Sequence, residues 1–229
     1  MKTYTPLPVV FRAFDIVFVP WMKRRIAGVH IAGLPHVLDP DRPLIVVSNH
    51  VSWWDGFLLR AVQLRLRPHA PLHSVMLQRE LKGKPFLKAL GAVGIDPLNP
   101  ASVKRAVAVL SERMRRRPDS MVLYFPQGEI RPSHARPLGF LRGIELFARH
   151  LPSADILPIG IHLEPLNTVS PHAFISAGEL RDSRVVKASE LEHEVERQLD
   201  HILHFIGKHG ENSAAEWPAS GGSLTLAAR

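Results

Sequence analysis

Three short, charge-free apolar runs constrain this chain most: Leu44-Ile45-Val46-Val47, Met121-Val122-Leu123-Tyr124-Phe125 and Ile156 to Ile161. Each is too short for a core helix and lacks polar alternation. Such runs suit strands buried on both faces, as in parallel sheets covered by helices. Val29 to Ala32, Ser74 to Leu77, Ala92 to Ile95 and Ala173 to Ile175 read as further short strands. Helices are expected over Trp53–Leu66, Arg79–Leu90, Leu138–His150 and Glu190–Lys208, and from Ala101 with Val103, Ala106, Val107 and Leu110 on one face. Alternating strands and helices predict an α/β fold with a mixed, mostly parallel sheet flanked by helices. At 229 residues with no interior linker, one domain is expected.

The organisation expected around that domain is an amphipathic, membrane-apposed helix over residues 1–27, a body over 28–209 and a flexible Gly/Ser/Ala-rich tail over 210–229. Phe11, Phe14, Phe18 and Trp21 fall on one helical face and are followed at once by Lys23, Arg24 and Arg25. That face either lies in a membrane interface with the basic run on lipid headgroups, or packs on the domain's own core. Arg12 and Asp15 interrupt the apolar stretch, so neither a membrane span nor a signal peptide is expected. The expected location is a peripheral or monotopic seat on the cytoplasmic face of a membrane.

The formal net charge is +8, and residues 60–142 alone hold 16 Lys/Arg against 5 Asp/Glu. That excess suits an anionic partner such as a lipid surface or a phosphorylated carrier. No recognised nucleic-acid motif accompanies it, so no nucleic acid is expected. With no cysteine, disulfides, thiolate zinc sites and cysteine nucleophiles are excluded. The histidines show no metal-ligand spacing, so neither metal nor cofactor is expected.

Two strand ends carry the chemistry. Ser48-Asn49-His50-Val51-Ser52-Trp53-Trp54-Asp55 leaves an apolar strand and enters a helix, at the sheet edge where α/β proteins bind ligands. Asp55 falls in the first helical turn, where the chain can bring it back to His50. A carboxylate on one ring nitrogen fixes the tautomer and leaves the other as a general base. A helix-capping aspartate beside an unrelated histidine would show the same spacing. Phe125-Pro126-Gln127-Gly128-Glu129-Ile130-Arg131 likewise ends a strand; Arg131 could hold a phosphate, or the stretch could be an ordinary turn.

Together and in this order, the two stretches resemble the glycerolipid acyltransferase family, which includes lysophosphatidic acid acyltransferases. Asn49, His50, Ser52 and Asp55 match its N-H-x-S-x-x-D block. In its F-P-E-G-T-R block, Phe125, Pro126 and Gly128 match, Gln127 replaces the glutamate, and Arg131 comes one position late. Leu157-Pro158-Ile159-Gly160-Ile161 resembles the family's Pro-containing strand. In the remaining block Gly91, Val93, Ile95 and Asp96 fit, but Pro97 stands where an arginine is usual. The resemblance runs from Gly28 to Ile161.

That resemblance implies a glycerol-3-phosphate acyltransferase-like fold. It also implies transfer of a fatty acyl group from acyl-CoA or acyl-ACP, as co-substrate, to a hydroxyl of a lysophospholipid-like or other lipid acceptor. His50 would be the general base oriented by Asp55; Asn49, Ser52, Phe125, Pro126, Gln127, Gly128 and Arg131 would contact substrate. Pro97 and Gln127 depart from the family's phosphate-binding pattern, with Lys104, Arg105 or Arg131 as possible substitutes. Without catalysis, the same features describe a membrane- or lipid-binding protein that retains the fold.

Overall fold

The chain, described over residues 8–218 by a computed structural model, forms an eight-stranded sheet between two helical layers. Its strands are β1 (Gly28–Ala32), β2 (Leu44–Ser48), β3 (Leu72–Leu77), β4 (Ala92–Ile95), β5 (Met121–Tyr124), β6 (Asp155–Glu164), β7 (His172–Ala177) and β8 (Arg181–Asp182). The spatial order is β1-β7-β6-β2-β5-β3-β4, with β8 on β6. All pairs are parallel except β6 with β7 and β6 with β8.

The apolar runs are strands because both of their faces are covered. Leu44, Val46, Met121 and Leu123 join a core with α1 (Pro8–Lys23) and α2 (Asp55–Leu66). Ile45, Val47, Val122 and Tyr124 join the opposite core with α4 (Pro100–Arg116), α5 (Gly143–His150) and α6 (Ala188–His209). A strand sandwiched in this way has no solvent face on which to place a polar residue.

The sheet is split at one end. β5 pairs with β3 only as far as Ser74 beside Leu123. Beyond that point β5 stays with β2 as far as Val47 beside Tyr124, and β3 stays with β4 as far as Leu77 beside Ile95. The two halves diverge there, opening a groove bordered by residues from both faces.

Three expectations need correction. The helix expected over Arg79–Leu90 shrinks to α3 (Pro85–Ala89), because Gly83 takes a positive φ of 75° and Pro85 starts afresh at the first helical turn. The helix expected from Leu138 starts only at Gly143. The amides of Leu138, Gly139 and Phe140 are instead bonded by Glu196 and Glu192 of α6. The expected flexible tail is ordered at its start: a 3₁₀ turn over Gly210–Asn212 leads into α7 (Ser213–Glu216), and Trp217 is buried against Phe174 and Phe205. Residues 1–7 and 219–229, the ends of the two expected terminal segments, lie outside the described residues.

In α1, the face marked by Phe11, Phe14, Phe18 and Trp21 packs mainly on the protein itself. Phe14 stacks on Phe57 and Phe18 packs against it at a tilt, Trp21 meets Trp53 and Trp54, and Asp15 pairs with Arg60 at 2.9 Å. Val9, Ile16 and Val17 face outward instead. Among the described residues, no helix is long and apolar enough to cross a membrane.

Candidate active site

β2 ends because its side chains change from apolar to polar at Ser48. Asn49 then extends the β2–β6 ladder with its side chain: Nδ2 donates to the Ile161 carbonyl at 2.9 Å, and the Ile161 amide donates to Oδ1 at 2.8 Å. The residue is fully buried. Its amide therefore anchors the turn that follows, and the residue does not border the groove.

That turn wraps around one carboxylate. His50 Nδ1 lies 2.8 Å from Asp55 Oδ2, which also accepts the Val51 amide at 2.7 Å and the Ser52 amide at 2.9 Å. The Ser52 hydroxyl donates to Oδ1. Asp55 is wholly shielded from water, at the positive end of α2. A buried carboxylate is tolerated when its lone pairs are filled, and four donors fill these. Holding the proton on Nδ1 leaves His50 Nε2 as the imidazole's basic atom. The ring is stacked on Phe125, with centroids 4.4 Å apart.

The second loop supports the first. Gln127 is buried; its Oε1 accepts the His50 amide at 2.6 Å and its Nε2 donates to the Leu138 carbonyl at 3.0 Å. Both ends of the amide are occupied, so Gln127 also braces the turn, and it does not border the groove. Gly128 takes φ 73°, which a side chain rarely adopts. The Arg131 amide donates to the His50 carbonyl at 2.9 Å, while its guanidinium is held by Glu129 Oε1 at 3.0 Å and the Leu138 carbonyl at 3.3 Å. Pro126 is buried but borders the groove with Phe125 and Gly128. Lys104 and Arg105 are exposed on α4 and do not line it.

The groove holds about 620 Å³ and runs along the split sheet. His50 opens onto it, as do Phe11, Phe14, Trp53 and Phe57 on the α1–α2 side. Val75, Ile95, Val103, Tyr124 and Phe147 line the α4–α5 side. Glu129 and the exposed Ile130 and Leu141 also border it. Tyr124 and His73, also on its walls, were not singled out by their positions in the sequence. Burial pushes the Tyr124 phenol up to about 12. Burial, reinforced by neighbouring Arg113, holds His73 down to about 3. Among the described residues, no group of three or more His, Asp or Glu side chains could hold a metal ion.

A mostly parallel sheet with a His–Asp pair at the end of its central strand, beside an apolar groove, defines an α/β protein with the makings of an acid–base site. The chain matches the Acyltransferase family over residues 29–162 and belongs to it. It is 30% identical over 117 residues to the 1-acyl-sn-glycerol-3-phosphate acyltransferase of Pseudomonas aeruginosa. That alignment spans 48% of this chain and 42% of the relative's length. Its fold resembles the crystal structure of the 1-acyl-sn-glycerophosphate (LPA) acyltransferase PlsC from Thermotoga maritima. The TM-score is 0.53 at 19% identity, covering 85% of this chain and 76% of that one.

Proposed function

We propose that this chain transfers a fatty acyl group from an acyl thioester, acyl-CoA or acyl-ACP, to a hydroxyl of a lysophospholipid-like or other lipid acceptor. The observation that carries the reading is the His50–Asp55 pair, 2.8 Å apart, at the mouth of a long apolar groove. His50 Nε2 takes the proton of the acceptor hydroxyl as its oxygen attacks the thioester carbonyl carbon. The carbon–sulfur bond breaks, and the leaving thiolate takes the proton back from the imidazolium. Asp55 holds the imidazole's orientation and stabilises the cation formed in between. No acyl-enzyme is required, consistent with a chain lacking cysteine. Simple lipid binding would not require a base with a buried orienting carboxylate.

The acceptor need not carry a glycerol phosphate. Pro97 occupies the position of the family's usual arginine, and the Arg131 guanidinium is already engaged by Glu129 and Leu138. A peripheral seat on an anionic membrane is part of the same proposal. Val9, Ile16, Val17, Trp21 and Trp53 expose apolar surface beside Lys23, Arg24 and Arg25.

Release of free thiol from acyl-CoA in the presence of a lipid acceptor tests the reading. Wild type should turn over, and His50→Ala should lose ~10²–10⁴-fold while folding normally. Equal rates for the two proteins would refute it, and free fatty acid as the sole product would reassign the chain to hydrolysis.

A further inference from the structure

A third stretch, residues 138–141, lies against the second loop. The Leu141 amide donates to the Pro126 carbonyl at 3.0 Å, and Leu141 borders the groove. Three consecutive amides of this stretch point at two carboxylates, one turn apart on α6. Leu138 donates to Glu196 Oε1 at 3.2 Å, Gly139 to Glu192 Oε1 at 2.6 Å and Phe140 to Glu192 Oε2 at 3.0 Å.

The Gly139 amide belongs to the same peptide group as the Leu138 carbonyl. That carbonyl accepts Gln127 Nε2 at 3.0 Å, and Gln127 Oε1 accepts the His50 amide at 2.6 Å. Glu192 is therefore joined to the His50 backbone by three hydrogen bonds in series. Every donor along the path points the same way, from His50 towards the carboxylate. In such a series each bond polarises the next, and a charged acceptor at its end strengthens the whole.

That direction dictates the residue types along the path. Gln127 must accept at one end and donate at the other. A flipped amide would set its NH2 group against the His50 N–H and its oxygen against the Leu138 carbonyl. An ionised glutamate there would have no proton to give that carbonyl. Glutamine at 127 and a carboxylate at 192 are thus two parts of one arrangement. Gln127 is buried, so solvent does not readily replace a lost partner. Glu196, by contrast, meets the Leu138 N–H, which belongs to the preceding peptide group and lies off the path.

We infer that Glu192 is a positioning residue for His50, acting through the Leu138–Gly139 peptide group and Gln127. The inference rests on reading His50 as the general base, and it adds a helix outside the groove that sets where the imidazole stands. Glu192 does not border the groove, so its influence on turnover runs through the path alone. Its removal should therefore lower kcat and leave KM nearly unchanged.

Amide NMR of the isotope-labelled full chain reads the path without turnover, and thiol release reads its effect on the reaction. The His50 amide proton, held in a short bond, should move upfield in Glu192→Ala, while the Ile161 amide on Asn49 Oδ1 stays in place. Glu192→Gln keeps one oxygen for the Gly139 amide and should restore part of the shift. In Glu192→Ala, kcat should fall about 10-fold with KM little changed. Glu196→Ala costs the same stretch an anchor off the path and should do much less to both readouts. In a Gln127→Ala background, Glu192→Ala should add little. An unmoved His50 amide in Glu192→Ala would overturn the inference. So would an equal shift in Glu196→Ala, or losses that multiply in the Gln127→Ala background. A wild type that releases no thiol would sink the proposed function instead, and the amide shift would still decide the link to Glu192.

Discussion

The two loops at the end of the split sheet, residues 49–55 and 125–131, occupy equivalent places in the fold and are built to opposite plans. The first turns its polar groups onto Asp55, which gathers His50, Val51 and Ser52 and leaves one imidazole nitrogen facing the groove. The second spends its polar groups on the first: Gln127 and the Arg131 amide both bond the His50 backbone. In the proposed reaction, one loop carries the reactive atom and the other holds it still. The polar groups of the second loop thus support the neighbouring turn, while its Phe125, Pro126 and Gly128 border the groove.

The largest effect should come from removing the anchor of the first loop. Asn49→Ala strips the Ile161 amide and carbonyl of their buried partners and leaves a small cavity. A loss of roughly 3–5 kcal/mol is expected in denaturant titration. A loss under about 1 kcal/mol would mean that water replaces the amide.

Acid should act from outside both loops. His73 is held to about 3 and His30 to about 4 by burial, against 6.5 for each in the unfolded chain. The unfolded state therefore binds protons first as pH falls. The contribution of these two groups is full above pH 6.5 and should fall progressively as the pH drops from there towards 4. His73→Leu should flatten that profile; an unchanged profile would place the acid-sensitive groups elsewhere.

The bracing role of the second loop is tested by restoring the family's usual residue. Glu in place of Gln127 can still accept the His50 amide but points its other oxygen at the Leu138 carbonyl. Gln127→Glu should cost ~1–3 kcal/mol at neutral pH and recover as the carboxyl group is protonated. The smallest effect is expected for Ser52→Ala, which removes one of four donors to Asp55. About a tenfold fall in turnover, with little change in melting temperature, would be the signature of lost orientation alone.

Much of this arrangement was legible in the sequence where local pattern and tertiary burial agree. The runs at Leu44, Met121 and Ile156 read as two-sided strands, and the apolar spacing from Val103 to Leu110 as a helix face. The His50–Asp55 pairing was one of two readings of that spacing, and the resemblance of Asn49, His50, Ser52 and Asp55 to the acyltransferase block favoured it. What escaped was decided by partners remote in sequence. Glu192 and Glu196 bond the amides of Leu138 to Phe140 and hold that stretch out of a helix. Trp217 orders the start of the tail by reaching Phe174 and Phe205. The inward turn of Asn49 and Gln127 depended on Ile161 and Leu138, which lie 112 and 11 residues further along the chain. Tyr124 and His73 looked like ordinary strand residues until the break between β3 and β5 opened their wall.

The central claim is that His50 and Asp55 act as one unit, and a double-mutant cycle on turnover tests it most directly. Thiol release would be measured for wild type, His50→Ala, Asp55→Ala and the double variant, each shown to be folded by circular dichroism. Because the carboxylate works only through the imidazole, the double variant should be no slower than His50→Ala alone. Losses that multiply, so that the double variant falls below His50→Ala by the full factor of Asp55→Ala, would contradict the account.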